Sequence, residues 1–360
     1  MNSTYSNKYE PDFVSPPGDT LFEVLEQRQM SQSQFADRVG HTPKYVSEVI
    51  KGKAPITAEA AISFEKVLGI PCSFWNNRQR NYDLFIAKLS EFEKNSKQLS
   101  WADNFPYGEM SRRGWVPIER DSVKRLTFLL NFFGVATPEA WSTIWRGLQV
   151  SYRRSIASRA DHYALFAWLR RGQLEAQVLD CSEYDEVRFR DSLREIRSLT
   201  LQEPRNFQSK LVNICLSCGV AVAFVQELPN TASGATSWLS PSKALLQLSL
   251  RYKRDDSLWF TFFHEAAHII LHQKRVTFLE GLNIESAQEA EADKFAADVL
   301  IPPSEYKDFL TTTRISKSAI VAFAQRINIA PGVVVGRLQH DRILPHSHCN
   351  ILKRKLRWAN

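Results

Sequence analysis

The chain has 360 residues, 44% of them hydrophobic and 24% charged, which is ordinary for a globular protein and leaves room for two or three domains with sizeable cores. It holds no run of eighteen apolar residues, no apolar signal core in the opening MNSTYSNKYEPDF and only five cysteines, which argues against a membrane span, export and a disulfide scaffold, and for a cytoplasmic chain in a reducing compartment. The formal charge of +7 does not single out nucleic acid either: residues 1–80 carry nine basic and nine acidic side chains, and four of the surplus lie at the end as Lys353, Arg354, Lys355 and Arg357, which reads as a solvated basic tail over 353–360.

Residues 1–18 are polar, include Pro16-Pro17-Gly18, and read as a flexible arm. Four short amphipathic helices with clear punctuation follow. Leu21, Phe22, Val24 and Leu25 mark the first; Ser31 to Arg38 is the second, capped by Ser31 or Ser33. Gly40 makes a turn. Thr42 then caps a third helix with Pro43 at its first position, Val46 and Ile50 inward and Gly52 at its end. Thr57 caps the fourth, which stops at Gly69. Two short helices joined by a glycine turn inside such a unit form a helix-turn-helix pattern, whose second helix offers its early residues to base edges in the major groove. Pro43, Lys44, Tyr45, Ser47 and Lys51 are the candidates for DNA contact. A generic helical bundle, binding protein only, is the alternative, and the neutral charge of residues 1–80 favours it mildly.

The run from Leu21 to Asp83 resembles antitoxin and repressor domains of the HigA type within the Cro/repressor-like superfamily. The resemblance is carried by SQSQFA, YVSEVIKGK, ITAEAA and the exit formed by Trp75, Gln79, Tyr82 and Asp83. It implies an all-α DNA-binding domain over 19–83, acting as a homodimer on promoter or operator DNA.

Residues 84–205 read as a helical middle region, with helices at Leu84 to Gln98, Asp121 to Phe133, Pro138 to Ala157, Asp161 to Leu179 and Glu183 to Thr200. Their many arginines are interleaved with acids, the pattern of solvated helix faces. Beyond them Phe207 to Cys218 is a helix, and Val220 to Val225, Thr236 to Leu239 and Ala244 to Leu250 are strands, the last a candidate edge for an extended peptide. The lone pair Cys215 and Cys218 reads as core cysteines. His346, His348 and Cys349 crowd together too closely for a metal site and read as surface residues.

The chemistry lies in WFTFFHEAAHIIL, residues 259–271. On a helix His264 and His268 lie one turn apart on one face, so both imidazoles can grip one ion while Glu265 stands beside it. Bulky apolar neighbours on all sides imply a buried helix, where two histidines and a glutamate would be costly without a partner. Downstream, SAQEAEADKFAADVLIP places Glu289 and Asp293 within the apolar arc of a helix, with Glu291, Lys294 and Asp298 opposite. Glu289 is the third ligand, with Glu291 in reserve. That makes three protein ligands and an open fourth position, the catalytic pattern for zinc. Asp293 and His272 are read as outer partners that orient the ligating imidazoles, and Tyr306 and His340 as candidate oxyanion donors.

GVAVAFVQELP, LLQLSLRYKRDDSLWFTFFHEAAHIILH and EAEADKFAADVLIP are together similar to the ImmA/IrrE family of metallopeptidases, strongly over Phe207 to Pro302 and more loosely to Leu352. That family often carries Asn where this chain has Asp293. The resemblance implies a zincin-like α+β peptidase domain over 206–352 with a small sheet, making the whole chain α+β and mostly helical. It also implies one Zn2+ per chain, with another divalent metal as the alternative, and a protein substrate such as a repressor or toxin-like partner. Glu265 then serves as the general base of peptide hydrolysis. A non-enzymatic alternative keeps the DNA-binding half and uses the peptidase fold as a sensor or docking domain.

Overall fold

In the computed structural model, which describes residues 13–96, 98–145, 162–229, 231–272, 278–279 and 286–358, the chain divides into two units, residues 1–98 and 99–360. The first is built from α1 (Pro17–Gln27), α2 (Gln32–Val39), α3 (Pro43–Ile50), α4 (Ala58–Leu68) and α5 (Cys72–Ser96). Ser31 forms a reciprocal capping box with Gln34, Gly40 ends α2 at φ 72°, and the Thr42 and Thr57 hydroxyls cap α3 and α4. Leu21, Phe35, Ala36, Val46, Phe64 and Trp75 close the core. Val49 rather than Ile50 takes the fully buried place on α3.

The arm is shorter than expected. Pro17 and Gly18 already belong to α1, and a Cβ on Gly18 would stand 2.0 Å from the Val49 carbonyl oxygen, so only glycine lets α1 approach α3 so closely. Residues 1–12 lie outside the described residues. Gln79 of the exit motif accepts a hydrogen bond from the Ile56 N–H at 2.9 Å and donates to Asp83 at 2.7 Å, so this motif fastens α5 to the loop before α4. The helix expected at Leu84 to Gln98 is the continuation of α5, since no breaker separates it from Tyr82.

The second unit is organised on a four-stranded sheet. Its strands β1 (Val220–Phe224), β2 (Gly234–Ser240), β3 (Lys243–Leu248) and β4 (Phe278–Leu279) lie in the order β1-β3-β2-β4. β1 and β3 are parallel, and β2 is antiparallel to both β3 and β4. Side chains alternate across a strand, and here both faces are dry. Val220, Val222, Leu246 and Leu248 enter one core, shared with α11 (Glu186–Ser198), α12 (Pro204–Leu216), α13 (Asp255–Leu271), α14 (Ser286–Leu300), α15 (Pro303–Thr312), α16 (Lys317–Arg326) and α17 (Pro331–His340). Cys215 and Cys218 are buried in that core. Ala221, Ala223, Ala235 and Leu245 enter the other, shared with α6 (Leu99–Ala102), α7 (Tyr107–Arg112), α8 (Ser122–Phe133), α9 (138–145) and α10 (His162–Gln177).

The stretch expected to form a separate middle region therefore does not stand apart: from residue 99 onward it is the helical layer on the far face of the sheet. Its aromatic residues, Phe105, Phe133, Trp141 and Phe166 among them, pack edge to face because the sheet offers them mainly alanines. Residues 146–157 of the expected Pro138 to Ala157 helix lie outside the described residues. α10 sits close because Gly172 faces Gln247 of β3, where a Cβ would fall 1.9 Å from the amide oxygen. Among the described residues no single helix is long and apolar enough to cross a membrane.

The basic tail is not solvated. Residues 353–356 fold back on the start of α13: the Asp255 N–H donates to the Arg354 carbonyl at 3.0 Å, the Arg354 N–H donates to Asp255 at 2.9 Å, and Lys353 Nζ pairs with Asp256 at 2.5 Å. Two acids in the first turn of a buried helix need such partners. Both members of the Lys353–Asp256 pair are under a tenth exposed, at 7% and 9%. Lys353→Met is therefore expected to destabilise the fold by about 3–5 kcal/mol, by leaving Asp256 buried without its cation; a urea-unfolding midpoint at the wild-type value would contradict this.

Asp255 predicts a pH dependence. Burial raises its pKa to about 6, against the backbone N–H groups of Arg354 and Asp256 that hold it down. A carboxyl that binds its proton more tightly folded than unfolded contributes less to stability as pH climbs from about 4 to about 6, here on the order of 3 kcal/mol. Asp255→Asn is expected to flatten that decline, as read from urea midpoints at about pH 4 and about pH 7.

Candidate metal centre and helix-turn-helix

α13 is buried along nearly its whole length because Trp259, Phe262, Phe263, Ala266 and Ala267 fill the core around it. His264, Glu265 and His268 are carried inside with them, at most 2% exposed. α14 lies against α13 through Ala292, Ala296 and Leu300 and brings Glu289 to the two imidazoles. His264 Nε2 and His268 Nε2 are 3.1 Å apart, and each is 3.4 Å from one oxygen of Glu289. Three donor atoms thus lie within 4.8 Å of one another, and the group could hold a metal ion.

The outward ring nitrogens are taken. His264 Nδ1 lies 2.9 Å from Asp293, and His268 Nδ1 lies 2.8 Å from His272 Nδ1. His272 Nε2 in turn meets Glu291 at 3.3 Å. Glu291, read as a reserve ligand, therefore points to His272 instead of the cluster; two residues past Glu289 on α14, it faces a different side.

The electrostatics favour positive charge at this point. Burial works to lower the His264 pKa, but hydrogen bonds to Asp293 and Glu289 carry it up to about 10. Burial would raise the Glu289 pKa, yet the two imidazoles bring it down to about 2. His268, for which desolvation dominates, is shifted down. Two imidazole nitrogens and a carboxylate oxygen are the donor types that suit zinc and neighbouring divalent ions, so the residues fit such a group.

Glu265 faces the sheet. Its Oε2 accepts a 2.6 Å hydrogen bond from the Thr236 hydroxyl, and Gly234 lies so close that a Cβ there would meet Glu265 Oε1 at 2.7 Å. Sequence reasoning missed both residues of β2. A glycine followed two residues later by threonine at the start of a strand was the available signal, but it acquires meaning only once β2 crosses α13.

Three expectations need correcting. Ala244 to Leu250 is no edge: β3 is the central strand between β1 and β2, and its residues are almost wholly buried, so an extended peptide cannot pair with it. The strand beside Glu265 is β2, bordered by the two-residue β4. Tyr306 donates its hydroxyl to Asp341 at 2.8 Å, where Arg337 also binds, which commits it away from the metal cluster. His340 stays nearer, its ring 6.4 Å from Phe260, whose own ring is 6.2 Å from His264. Asp293, expected in the buried arc, is half exposed, because the space beside it is not filled by protein. His346 and His348 are exposed, as read.

Residues 21–75 match the helix-turn-helix family, and residues 230–339 match the IrrE N-terminal-like domain of peptidase family M78. Over 72 residues, 20% of this chain and 77% of the other, the chain is 34% identical to the uncharacterized HTH-type transcriptional regulator YddM of Escherichia coli K12. The chain is a member of the helix-turn-helix family that also carries an M78-type peptidase domain. Solved structures similar to it include an antidote protein of a plasmid maintenance system from Nostoc punctiforme, at 30% identity over 23% of this chain and 91% of that one, TM-score 0.23. A HigA-family addiction-module antidote protein from Coxiella burnetii is 29% identical over 23% and 92%, TM-score 0.22. The Pseudomonas aeruginosa antitoxin HigA with its promoter is 25% identical over 24% and 90%, TM-score 0.22.

In the helix-turn-helix domain the candidate contact residues are not equivalent. Pro43, Lys44 and Lys51 are exposed at the start and end of α3, and Ser47 is half-buried. Tyr45 is turned partly inward: its ring packs on the domain core and its hydroxyl donates to the Pro55 carbonyl at 2.9 Å. The Lys44 ammonium lies 3.9 Å from Glu48 one turn on, an exposed pair that a phosphate could readily displace.

Proposed function

We propose that this chain is a DNA-binding regulator fused to a metal-dependent endopeptidase whose substrate is a regulatory protein partner such as a repressor or toxin-like protein, acting in the cytoplasm where DNA is. One observation carries the peptidase half: His264, His268 and Glu289 turn three donor atoms toward one point while Asp293 and His272 occupy the outward ring nitrogens. That support from behind fixes the tautomer and direction of each imidazole. The metal ligands in this reading are His264, His268 and Glu289. A bound divalent ion, zinc by its donor types, supplies Lewis acidity toward a peptide carbonyl and a water nucleophile at neutral pH.

The remaining work falls to side chains of this chain. Glu265 takes a proton from the attacking water on its carboxylate and delivers it to the departing amine. Thr236 holds that carboxylate by Oε2, so its rotation is set before substrate arrives. A peptide laid along the exposed side of β2 and β4 would pass beside Glu265, which replaces β3 as the pairing strand in this reading.

For the other half, the helix-turn-helix family match and the regulator relative support double-stranded DNA as partner, with α3 in the major groove and Lys44 and Lys51 on phosphates. A homodimer on a two-fold operator is the expected binding form. The test uses the full chain: metal analysis of the purified protein, proteome-wide mapping of new N-termini with and without chelator, and selection from random duplex DNA. One metal ion per chain, chelator-sensitive cuts and an enriched motif are expected. Selection that enriches nothing would remove the DNA-binding half and leave a peptidase with a protein-binding helical domain.

A further inference from the structure

The seam between α13 and α14 continues past the candidate metal centre. His268 meets Glu289 and His264 meets Asp293, so the two helices run in opposite directions, and one further turn along sets Phe260 opposite Ala297. There the helices no longer touch. They enclose a cavity of about 430 Å³, covered on its third side by Val333 and Arg337 of α17. α17 closes down because Gly336 lies against Asp256, where a Cβ would meet the carboxylate at 2.8 Å.

The cavity and the metal cluster share a wall. Asp293 lines the cavity and at the same time holds His264 Nδ1, and the Phe260 ring lies between the cavity and the His264 ring. The acids around it are already matched: Asp256 with Lys353 at 2.5 Å, Asp298 with Lys294 at 2.6 Å and Asp341 with Arg337 at 2.7 Å. An occupant with a net charge would find no unmatched partner, whereas an apolar group would bury itself against Phe260, Ala297, Leu300, Ile301 and Val333. The volume is at the lower end of small-ligand pockets, ample for one large side chain.

We propose that this cavity is the subsite that receives a large apolar side chain, of leucine, methionine or phenylalanine size, from the residue flanking the scissile bond of a protein substrate. The assignment rests on the peptidase reading and specifies its substrate class.

The test compares leucine hydroxamate with glycine hydroxamate, which share one metal-binding head and differ in a side chain, by calorimetric titration of the full zinc-loaded chain. Leucine hydroxamate is expected to bind at least about tenfold tighter, from burial of its side chain. Ala297→Phe, which fills the cavity from α14, is expected to bring the ratio close to one while zinc content and glycine hydroxamate affinity persist. Ser257→Phe fills it from α13 and serves where the first variant fails to reach the wild-type Tm. Equal affinities in a zinc-loaded wild type would overturn the subsite and leave the peptidase reading standing. A ratio unchanged in both filled variants would also overturn it. Failure to take up zinc or bind either hydroxamate overturns the subsite and the metal centre together.

Discussion

Glu265→Gln is expected to keep one metal ion per chain and the native fold while lowering peptide turnover by about 10²–10⁴-fold, the usual worth of a positioned general base. The side chain is wholly buried, and the amide oxygen of glutamine can still accept the hydroxyl of Thr236, so packing and orientation survive. What disappears is a group able to bind and release a proton at neutral pH. Metal content by mass spectrometry and mapping of new N-termini read the two halves of the expectation separately. Turnover at the wild-type rate in the glutamine variant would sink the general-base assignment and favour a fold used for sensing or docking.

His268→Ala and Glu289→Ala are each expected to abolish stoichiometric metal binding, a loss well beyond the 10–100-fold that removing an outer hydrogen-bond partner costs. Each deletes one of three inner donors, and nothing else among the described residues offers a replacement: Glu291, nearest in sequence, is held by His272. Asp293→Asn keeps an oxygen to accept from His264 Nδ1–H and should fall inside the 10–100-fold range instead. Competition titration against a chromogenic chelator ranks the three variants. Wild-type affinity in Glu289→Ala would mean the third ligand has been misassigned.

Much of the architecture was legible because local rules and tertiary demands agreed. Ser31, Gly40, Thr42, Thr57 and Gly69 punctuate the first unit where capping chemistry places them. The pairing of His264, His268 and Glu289 was readable because helical periodicity converts sequence spacing into a shared face, and because buried ionisable groups demand partners. Reading failed where the answer depends on what lies on the other side of an element. Val220 to Phe224 and Lys243 to Leu248 look alike as apolar runs, and periodicity cannot say which is central. The tail from Lys353 to Arg357 carries the composition of a solvated end, and only the two buried acids at the start of α13 reveal what it binds.

By itself, then, the order of residues determined the helices, their caps, the metal-binding spacing and the split into a helix-turn-helix and a peptidase-like part, since each of these is set within a few turns of chain. The folded molecule alone decided that Thr236 and Gly234 stand against Glu265, that Glu291 serves His272, that residues 99–145 roof the sheet, and that a cavity lies beside Asp293. Those facts join segments tens to more than a hundred residues apart. Such contacts are chosen by how whole layers pack rather than by any local preference.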